Sequence, residues 1–522
     1  MSKSPHHLTV GGAPEGFDAQ LILAEAERSG GPVLHVARDD KRLAAMQAAL
    51  AFFAPSMPVI TFPGWDCLPY DRVSPNAEIS ATRMATLAAL VHDMPARFIL
   101  LTTLNAATQK VPARELLQSA AFKARVGDRI DEAGLRQFLV RMGFTQAPTV
   151  LEAGDYAVRG GIIDIFPPGQ SGPVRLDLFG DILDGARRFD PATQRTTEKL
   201  ELVELAPVSE IILDEDSVTR FRQNYRIEFG AAGTDDPLYE AVSAGRKHAG
   251  MEHWLGFFHD HLETLFDYLP AATITLDDQT GPQRAARWIS IEDQYETRKH
   301  ALTQKSHLDT VYKPAPPGLL YLDEAAWDAQ LANRRVMQFS PLQQPTGLGV
   351  LDAGGRIGRD FAPERQQEKI SLFNSLAAHV QKKLEVGPVV IASYSEGARE
   401  RLTGLIEDEG VAEAIPITDF SRVGKRGVHL AVWPLEHGFE APGITVISEQ
   451  DVLGDRLIRQ TRKRRRAENF LTETQSLSPG DLVVHVDHGV GRYMGMEVVT
   501  ALGAAHECLL LEYAEGSKLY LP

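Results

Sequence analysis

Cysteine is nearly absent. Cys67 and Cys508 are the only two in 522 residues, too few and too far apart for a disulfide framework or a zinc site. That usage fits a reducing cytoplasm. No apolar run reaches the ~18 residues that suggest a membrane span, so no membrane role is expected. Met1 to Leu8 lack the charged-then-apolar pattern of a secretion signal. Positive charge is in deficit too: 54 Lys and Arg stand against 70 Asp and Glu, a formal net charge of −16. Phosphate binding needs clustered Lys and Arg. The chain as a whole is therefore expected to be a poor non-specific binder of nucleic acid, and any DNA contact has to be local or made elsewhere. No internal repeat, low-complexity stretch or complete Gly-x4-Gly-Lys-Ser/Thr loop is present.

What is present is ordinary for a globular protein, with 43% hydrophobic and 24% charged residues. The length exceeds what one core supports, and roughly three to five domains are expected. Residues 1–122 alternate short apolar runs (Val33–Val36, Val59–Phe62, Phe98–Leu101) with helical patterns at Phe17–Ser29 and Asp40–Phe53, which predicts a parallel α/β layer. Residues 123–212 are dense in turn signals and predict a small β-rich domain with strands at Gly161–Phe166, Val174–Phe179 and Leu200–Leu205. Helical and strand patterns return over 213–345, as if one α/β domain were interrupted by another. Gly347–Gly358 reads as a linker. A further small α/β domain follows over 350–450, with a helix at Arg365–Leu384, a strand at Val389–Ser393 and a helix at Glu396–Glu409. Residues 451–476 read as a basic helical connection, and 477–522 as short strands separated by glycines.

The segment Thr9–Phe17 lies between a predicted strand and a predicted helix, where a phosphate-binding loop belongs. Gly11 and Gly16 keep the glycine spacing of such a loop. Phe17 and Asp18 stand where Lys and Ser/Thr are needed to neutralise phosphates and hold Mg²⁺. Glu15 and Asp18 repel a triphosphate. A structural turn on an NTPase-derived scaffold is expected, with no catalytic residue and no cofactor in this chain. His485 and His488 have no third ligand nearby in sequence and read as strand and turn residues, so no metal is expected.

Val174–Phe179 alternates with period two. Val174, Leu176 and Leu178 share one face, and Arg175, Asp177 and Phe179 the other. Arginine beside an aromatic is the usual composition of an interface anchor; the alternative is that Phe179 is buried by the domain's own turn. Gly154–Pro167 (GDYAVRGGIIDIFP), followed by Val174–Asp181 (VRLDLFGD), resembles the module shared by the excision-repair protein UvrB and the transcription-repair coupling factors. The resemblance implies UvrA as partner and places the contacts on Arg159, Arg175 and Phe179. Phe62–Asp71 (FPGWDCLPYD), Ser74-Pro75 and Arg83 also resemble the coupling factors. UvrB keeps an intact phosphate loop and this sequence does not, which favours the coupling-factor side. The alternative is a UvrB-like damage-verifying ATPase; a stand-alone transcription regulator is disfavoured by the UvrB-like front half.

Gly480–Tyr493 (GDLVVHVDHGVGRY) opens a run of short strands with glycine turns, continued at Met496–Thr500, Glu507–Tyr513 and Lys518–Leu521, which suits a small β-barrel. This segment is similar to the RNA-polymerase-interacting domain of the coupling factors and to CarD-type regulators. The implied partner is the polymerase β subunit, with contacts at Arg492, Val498, Val499 and Thr500. The basic run Arg462, Lys463, Arg464, Arg465 and Arg466 reads as the solvated face of a linker helix, with a DNA phosphate contact as the alternative.

The predicted architecture is therefore multidomain α/β. It comprises a UvrB-like, degenerate NTPase-derived domain with an inserted β-rich domain, a further α/β domain, and a small Tudor/CarD-like barrel incomplete at its C-terminus. The resemblance implies transcription-coupled excision repair: docking on stalled RNA polymerase and recruitment of UvrA. An ATP- and Mg²⁺-dependent motor acting on upstream duplex DNA is expected beyond residue 522, with the chain a piece of a longer protein.

Overall fold

A computed structural model describes residues 7–454, except 93, 120–121, 231–235, 304–311, 367–370 and 409–413, and, further on, residues 480, 482–485, 489–501, 504–513 and 517–521. Residues 1–454 form one compact unit and 455–522 another. The predicted basic run Arg462–Arg466 and His488 lie outside the described residues.

In the first unit, β1 (His7–Gly11), α1 (Phe17–Ser29), β2 (Val33–Ala37), α2 (Asp40–Phe53), β3 (Val59–Phe62), a helix at Ala77–His92 and β4 (Ile99–Thr103) follow in order. The Asp39 carboxylate accepts the Arg42 amide and starts α2. Gly30, with a φ of 64°, ends α1 in the left-handed conformation. Strands Thr273–Leu276 and Val336–Phe339 pair between β2 and β1, and Val350–Asp352 pairs outside β1. The result is a seven-stranded sheet in which every pairing is parallel. Its apolar strands are covered on both faces, as parallel sheets require. α1 and α2 pack on one face, and Ala77–His92, Leu265–Tyr268 and Glu324–Leu331 on the other.

The chain leaves this sheet to build a second one. Thr196–Leu200, Ile182–Phe189, Val174–Phe179, Ile162–Ile165, Asp155–Arg159 and Thr145–Gln146 form six strands, antiparallel except for the last pair. Ile163, Ile165, Val174, Leu176 and Leu183 fill its core against the helix Glu132–Arg141. The strand predicted at Leu200–Leu205 is instead two: Thr196–Leu200 stays in the sheet, while Leu202–Leu205 pairs with Phe122–Arg125.

A third sheet has parallel strands Ile444–Ser448, Val389–Ser393, Val428–Val432 and Ala414–Ile417, with Phe439–Ala441 and Arg356–Ile357 antiparallel at one edge. The glycine-rich Gly347–Gly358, predicted as a linker, is a strand–turn–strand. Its first strand extends the first sheet and its second extends the third, turning at Gly354 with a φ of 74°. Backbone groups in a short connection between two sheets are satisfied best by joining both. The third sheet also shares a core with the first. Trp433 stacks on Phe52, with ring centroids 4.7 Å apart, and meets Phe53 edge-on at 5.3 Å. The helix predicted from Arg365 begins at Leu372, because the Ser371 hydroxyl caps it by accepting the Asn374 amide.

In the second unit, Leu482–His485, Gly489–Ala501, Ala504–Glu512 and Lys518–Leu521 form a four-stranded antiparallel sheet in chain order. Tyr493, Leu509 and Leu511 are buried against Val483, Tyr513 and Leu519. Among the described residues its two outer strands do not pair with each other, and no closed barrel is formed. No described helix is long and apolar enough to cross a membrane.

Candidate docking faces

The strand Val174–Phe179 turns its buried side inward through Val174 and Leu176, as the alternation predicts. A register shift between Asp177 and Leu178 then interrupts the period of two. Phe179 pairs with Ile182 across a two-residue turn whose first residue is Gly180, with a φ of 64°. Glycine there permits the backbone that a tight hairpin requires. Phe179 sits beside that turn and is 80% exposed, so the domain does not bury it. Ile162 and Ile182 are also exposed apolar residues of this sheet, at 37% and 40%. Neither was singled out from the sequence, although each directly follows a hairpin turn marked by glycine.

Arg175 is engaged within its own sheet. It pairs in register with Asp164, and its fork donates to both carboxylate oxygens: Nε to Oδ1 at 2.7 Å and Nη2 to Oδ2 at 2.9 Å. The guanidinium also lies 4.7 Å from the Phe189 ring centroid. Asp164 is buried, and a buried carboxylate needs such a partner. Arg175 therefore has a structural duty before any docking one. Arg159 is exposed at the next hairpin, where Nη2 donates to the Pro148 carbonyl at 2.6 Å and to the Thr149 hydroxyl at 3.2 Å.

The loop after β1 is where the sequence places it, between a parallel strand and α1. A side chain at Gly11 would meet the Gln344 backbone at 2.8 Å, and one at Gly16 the Phe439 ring at 2.9 Å. Phe17, in the lysine position, is buried with its ring 5.9 Å from that of Phe439. Asp18, in the hydroxyl position, is buried and accepts from the Gly16 amide at 3.0 Å and from Arg42. Arg42 Nε also donates to Asp277 Oδ1 at 3.2 Å. Arg38 donates to Asp277 Oδ2 at 3.2 Å and to Glu15 Oε1 at 2.6 Å. Burial pushes the Asp18 carboxyl up to about 6, against the pull of Arg42. Burial acts to lower Arg42, but Asp18, Asp277 and Glu15 outweigh it and hold that guanidinium above its usual range. Loop positions 17 and 18 thus carry neither a lysine nor a hydroxyl for a phosphate or Mg²⁺.

Among the described residues, Glu115, His261 and Glu263 bring ligand atoms within 4.8 Å of one another. Both oxygens of Glu263 are spent on Arg114, at 2.8–3.1 Å.

In the C-terminal sheet, Arg492 is exposed, lies opposite Leu482 and Glu512, and donates from Nη1 to the Gly480 carbonyl at 2.9 Å. Val498, Val499 and Thr500 pair through their backbone with Glu507, His506 and Ala505. On the other edge of that strand, Leu482–His485 covers only Gly489 to Arg492. Beyond Arg492 that edge has no strand partner among the described residues.

Comparison with known proteins agrees with this division. Residues 122–211 match the UvrB interaction domain family, and residues 477–522 match the CarD-like/TRCF RID domain family. The transcription-repair-coupling factor of Escherichia coli K12 is 32% identical over 514 residues, covering 97% of this chain and 43% of the relative. That of Haemophilus influenzae is 29% identical over 525 residues, covering 99% and 44%, and that of Myxococcus xanthus 30% over 524 residues, covering 94% and 42%. The chain thus spans less than half the length of these curated relatives. The sheet carrying Phe179 and the C-terminal sheet fall within the two matched ranges, and the chain is similar along nearly its whole length to part of the transcription-repair-coupling factors.

Proposed function

We propose that this chain is a two-ended adaptor of transcription-coupled excision repair. The UvrB interaction domain recruits UvrA, and the C-terminal domain docks on RNA polymerase stalled at damage, through its β subunit. The observation that carries this reading is the presence of both domains in one chain, each with a feature suited to docking: an exposed aromatic on the first and, among the described residues, an open strand edge on the second. The β-rich domain is an insertion in an NTPase-derived α/β domain, and the four C-terminal strands are part of a small barrel of the Tudor/CarD kind. The chain itself carries no ATP chemistry, since Phe17 and Asp18 fill the lysine and hydroxyl positions. ATP, Mg²⁺ and upstream DNA belong to the motor of the whole protein.

Phe179 supplies the test. Truncating an exposed aromatic anchor commonly costs about 2 kcal/mol of binding or more, roughly a thirtyfold loss. Phe179→Ala is expected to weaken binding to purified UvrA by that factor with no change in melting temperature. Arg175→Ala is expected to lower the melting temperature as well, because it leaves the Asp164 carboxylate buried without its partner. Unchanged UvrA affinity in folded Phe179→Ala would place the docking face elsewhere.

A further inference from the structure

The charges around Asp18 are met without any ligand. Four carboxylates face two guanidiniums (Arg38 and Arg42): Glu15, Asp18 and Asp277 through direct bonds, and Asp39 at 3.8 Å from Arg38 Nε. Asp18 lies at the amino end of the thirteen-residue α1, where the helix dipole and free amides favour an anion, and it takes up the Gly16 amide itself. The setting is that of a ligand cleft. β1, β2 and Val336–Phe339 of the first sheet, and Val389–Ser393 and Val428–Val432 of the third, all lead at their carboxyl ends into one cavity of about 510 Å³. Glu15, Arg38, Lys41, Tyr394, Glu436 and His437 are among its lining residues. Crevices at the carboxyl ends of parallel strands are where α/β folds take ligands.

The two sides of this cleft are also fastened together. Lys41 on α2 meets Glu436 of the third sheet's side at 2.6 Å. Phe17 and Gly16 pack against Phe439 and Leu435. A side chain at Gly355 would meet the Phe17 ring at 2.7 Å, so the strand–turn–strand connection closes on the same residue.

We infer that this cleft is an anion site occupied from within: the Asp18 carboxylate takes the place of a ligand phosphate at the amino end of α1, and Arg38 and Arg42 are spent on it and on Glu15 and Asp277. Two consequences follow. Phosphate ligands are refused not only because a lysine is missing, but because the donors that remain are already engaged. The contact between the first and third sheets also needs no nucleotide to form, so the two α/β layers stay joined through any cycle of nucleotide binding elsewhere in a longer protein. The inference depends on the charges and packing around this cleft, and on neither docking partner.

Titration calorimetry of the full chain with inorganic tripolyphosphate tests it, in the parent and in three variants. The parent is expected to show no binding at about 1 mM ligand. Asp18→Ser removes the internal anion, and Glu15→Gln/Asp18→Ser also removes a second carboxylate, leaving Arg42 with Asp277 and Arg38 with Asp277 and Asp39. Affinity is expected to rise at least about tenfold over the parent in the first and further in the second. Adding Arg42→Met to the double variant is expected to return it to the parent level. Glu15 is partly exposed, so Glu15→Gln alone, which frees the Arg38 Nη2 donor, decides the matter if the Asp18 variants fail to fold by melting curve. Tripolyphosphate binding by the parent as tight as by the variants would overturn the inference. So would folded variants that bind no better than the parent.

Discussion

Arg83→Met is expected to destabilise the N-terminal unit by about 3–5 kcal/mol, the usual effect of breaking a buried ion pair by removing one partner. Arg83 is 0% exposed and Glu210 2%. The guanidinium donates from Nε to Glu210 Oε1 at 2.5 Å and from Nη1 to the Pro63 carbonyl at 2.8 Å, and lies 4.3 Å from the Phe62 ring centroid. Trp65 Nε1 donates to the other Glu210 oxygen at 3.2 Å. Loss of the arginine leaves the carboxylate in a dry site with one neutral donor. Methionine keeps most of the packing volume, so the loss reports the charge rather than a cavity. Replacing both members tests the mechanism: Arg83→Met/Glu210→Leu is expected to regain most of the loss, since buried pairs exchanged for apolar residues are often near neutral. Urea denaturation followed by tryptophan fluorescence reads both. A loss below about 1 kcal/mol in the single variant would mean that water reaches the pair.

The location of this pair explains why it matters beyond stability. Arg83 belongs to the helix Ala77–His92 on the first sheet, and Glu210 follows the last strand of the second. The bond therefore fixes the point at which the chain returns from the Phe179-bearing sheet. Pro63, Trp65 and Arg83 all belong to the stretch that carried the family resemblance. Those residues are thus accounted for by packing and charge, with no need of a catalytic role.

Local signals were legible in the sequence, and long-range pairings were not. α1 and α2 run over the predicted residues, because the Gly30 that ends α1 and the Asp39 that caps α2 are local signals. The exposure of Phe179 was one of two alternatives, and the hairpin turn decides it. Arg175 shows the limit: period-two alternation gives its face but not its neighbour, and the neighbour, Asp164, is fixed by a register that no local pattern encodes. The network at Asp18 is more remote still, since Asp277 lies more than 250 residues away and arrives only because Thr273–Leu276 inserts beside β2. The misread Gly347–Gly358 has the same origin. Its glycines mark turns correctly, but the two short strands between them exist only through partners at Thr9–Gly11 and Phe439–Glu440.

Val499→Arg is expected to abolish capture of a polymerase β-subunit fragment while leaving UvrA binding at the parent level. From Tyr493 onward, the strand Gly489–Ala501 pairs on one edge with Ala504–Glu512, and the opposite edge has no strand beside it among the described residues. An edge with unpaired amides and carbonyls is a template for strand addition from a partner. Val498, Val499 and Thr500 lie on this stretch, and β-branched residues suit a strand that must pair twice. Successive residues of a strand alternate between its faces, so substituting the two valines separately distinguishes docking from folding. A charge buried at an interface without a partner costs several kcal/mol, a loss of roughly a hundredfold or more. On the proposed reading, Val499→Arg blocks docking and leaves the domain folded, whereas Val498→Arg lowers its melting temperature. The UvrA arm serves as the internal control, since the Phe179 face belongs to the other compact unit. A pull-down against both partners, with a melting curve for each variant, separates the outcomes. If Val499→Arg still captures the β subunit at the parent level, this strand is not the interface, and Glu507–Tyr513 becomes the next segment to substitute.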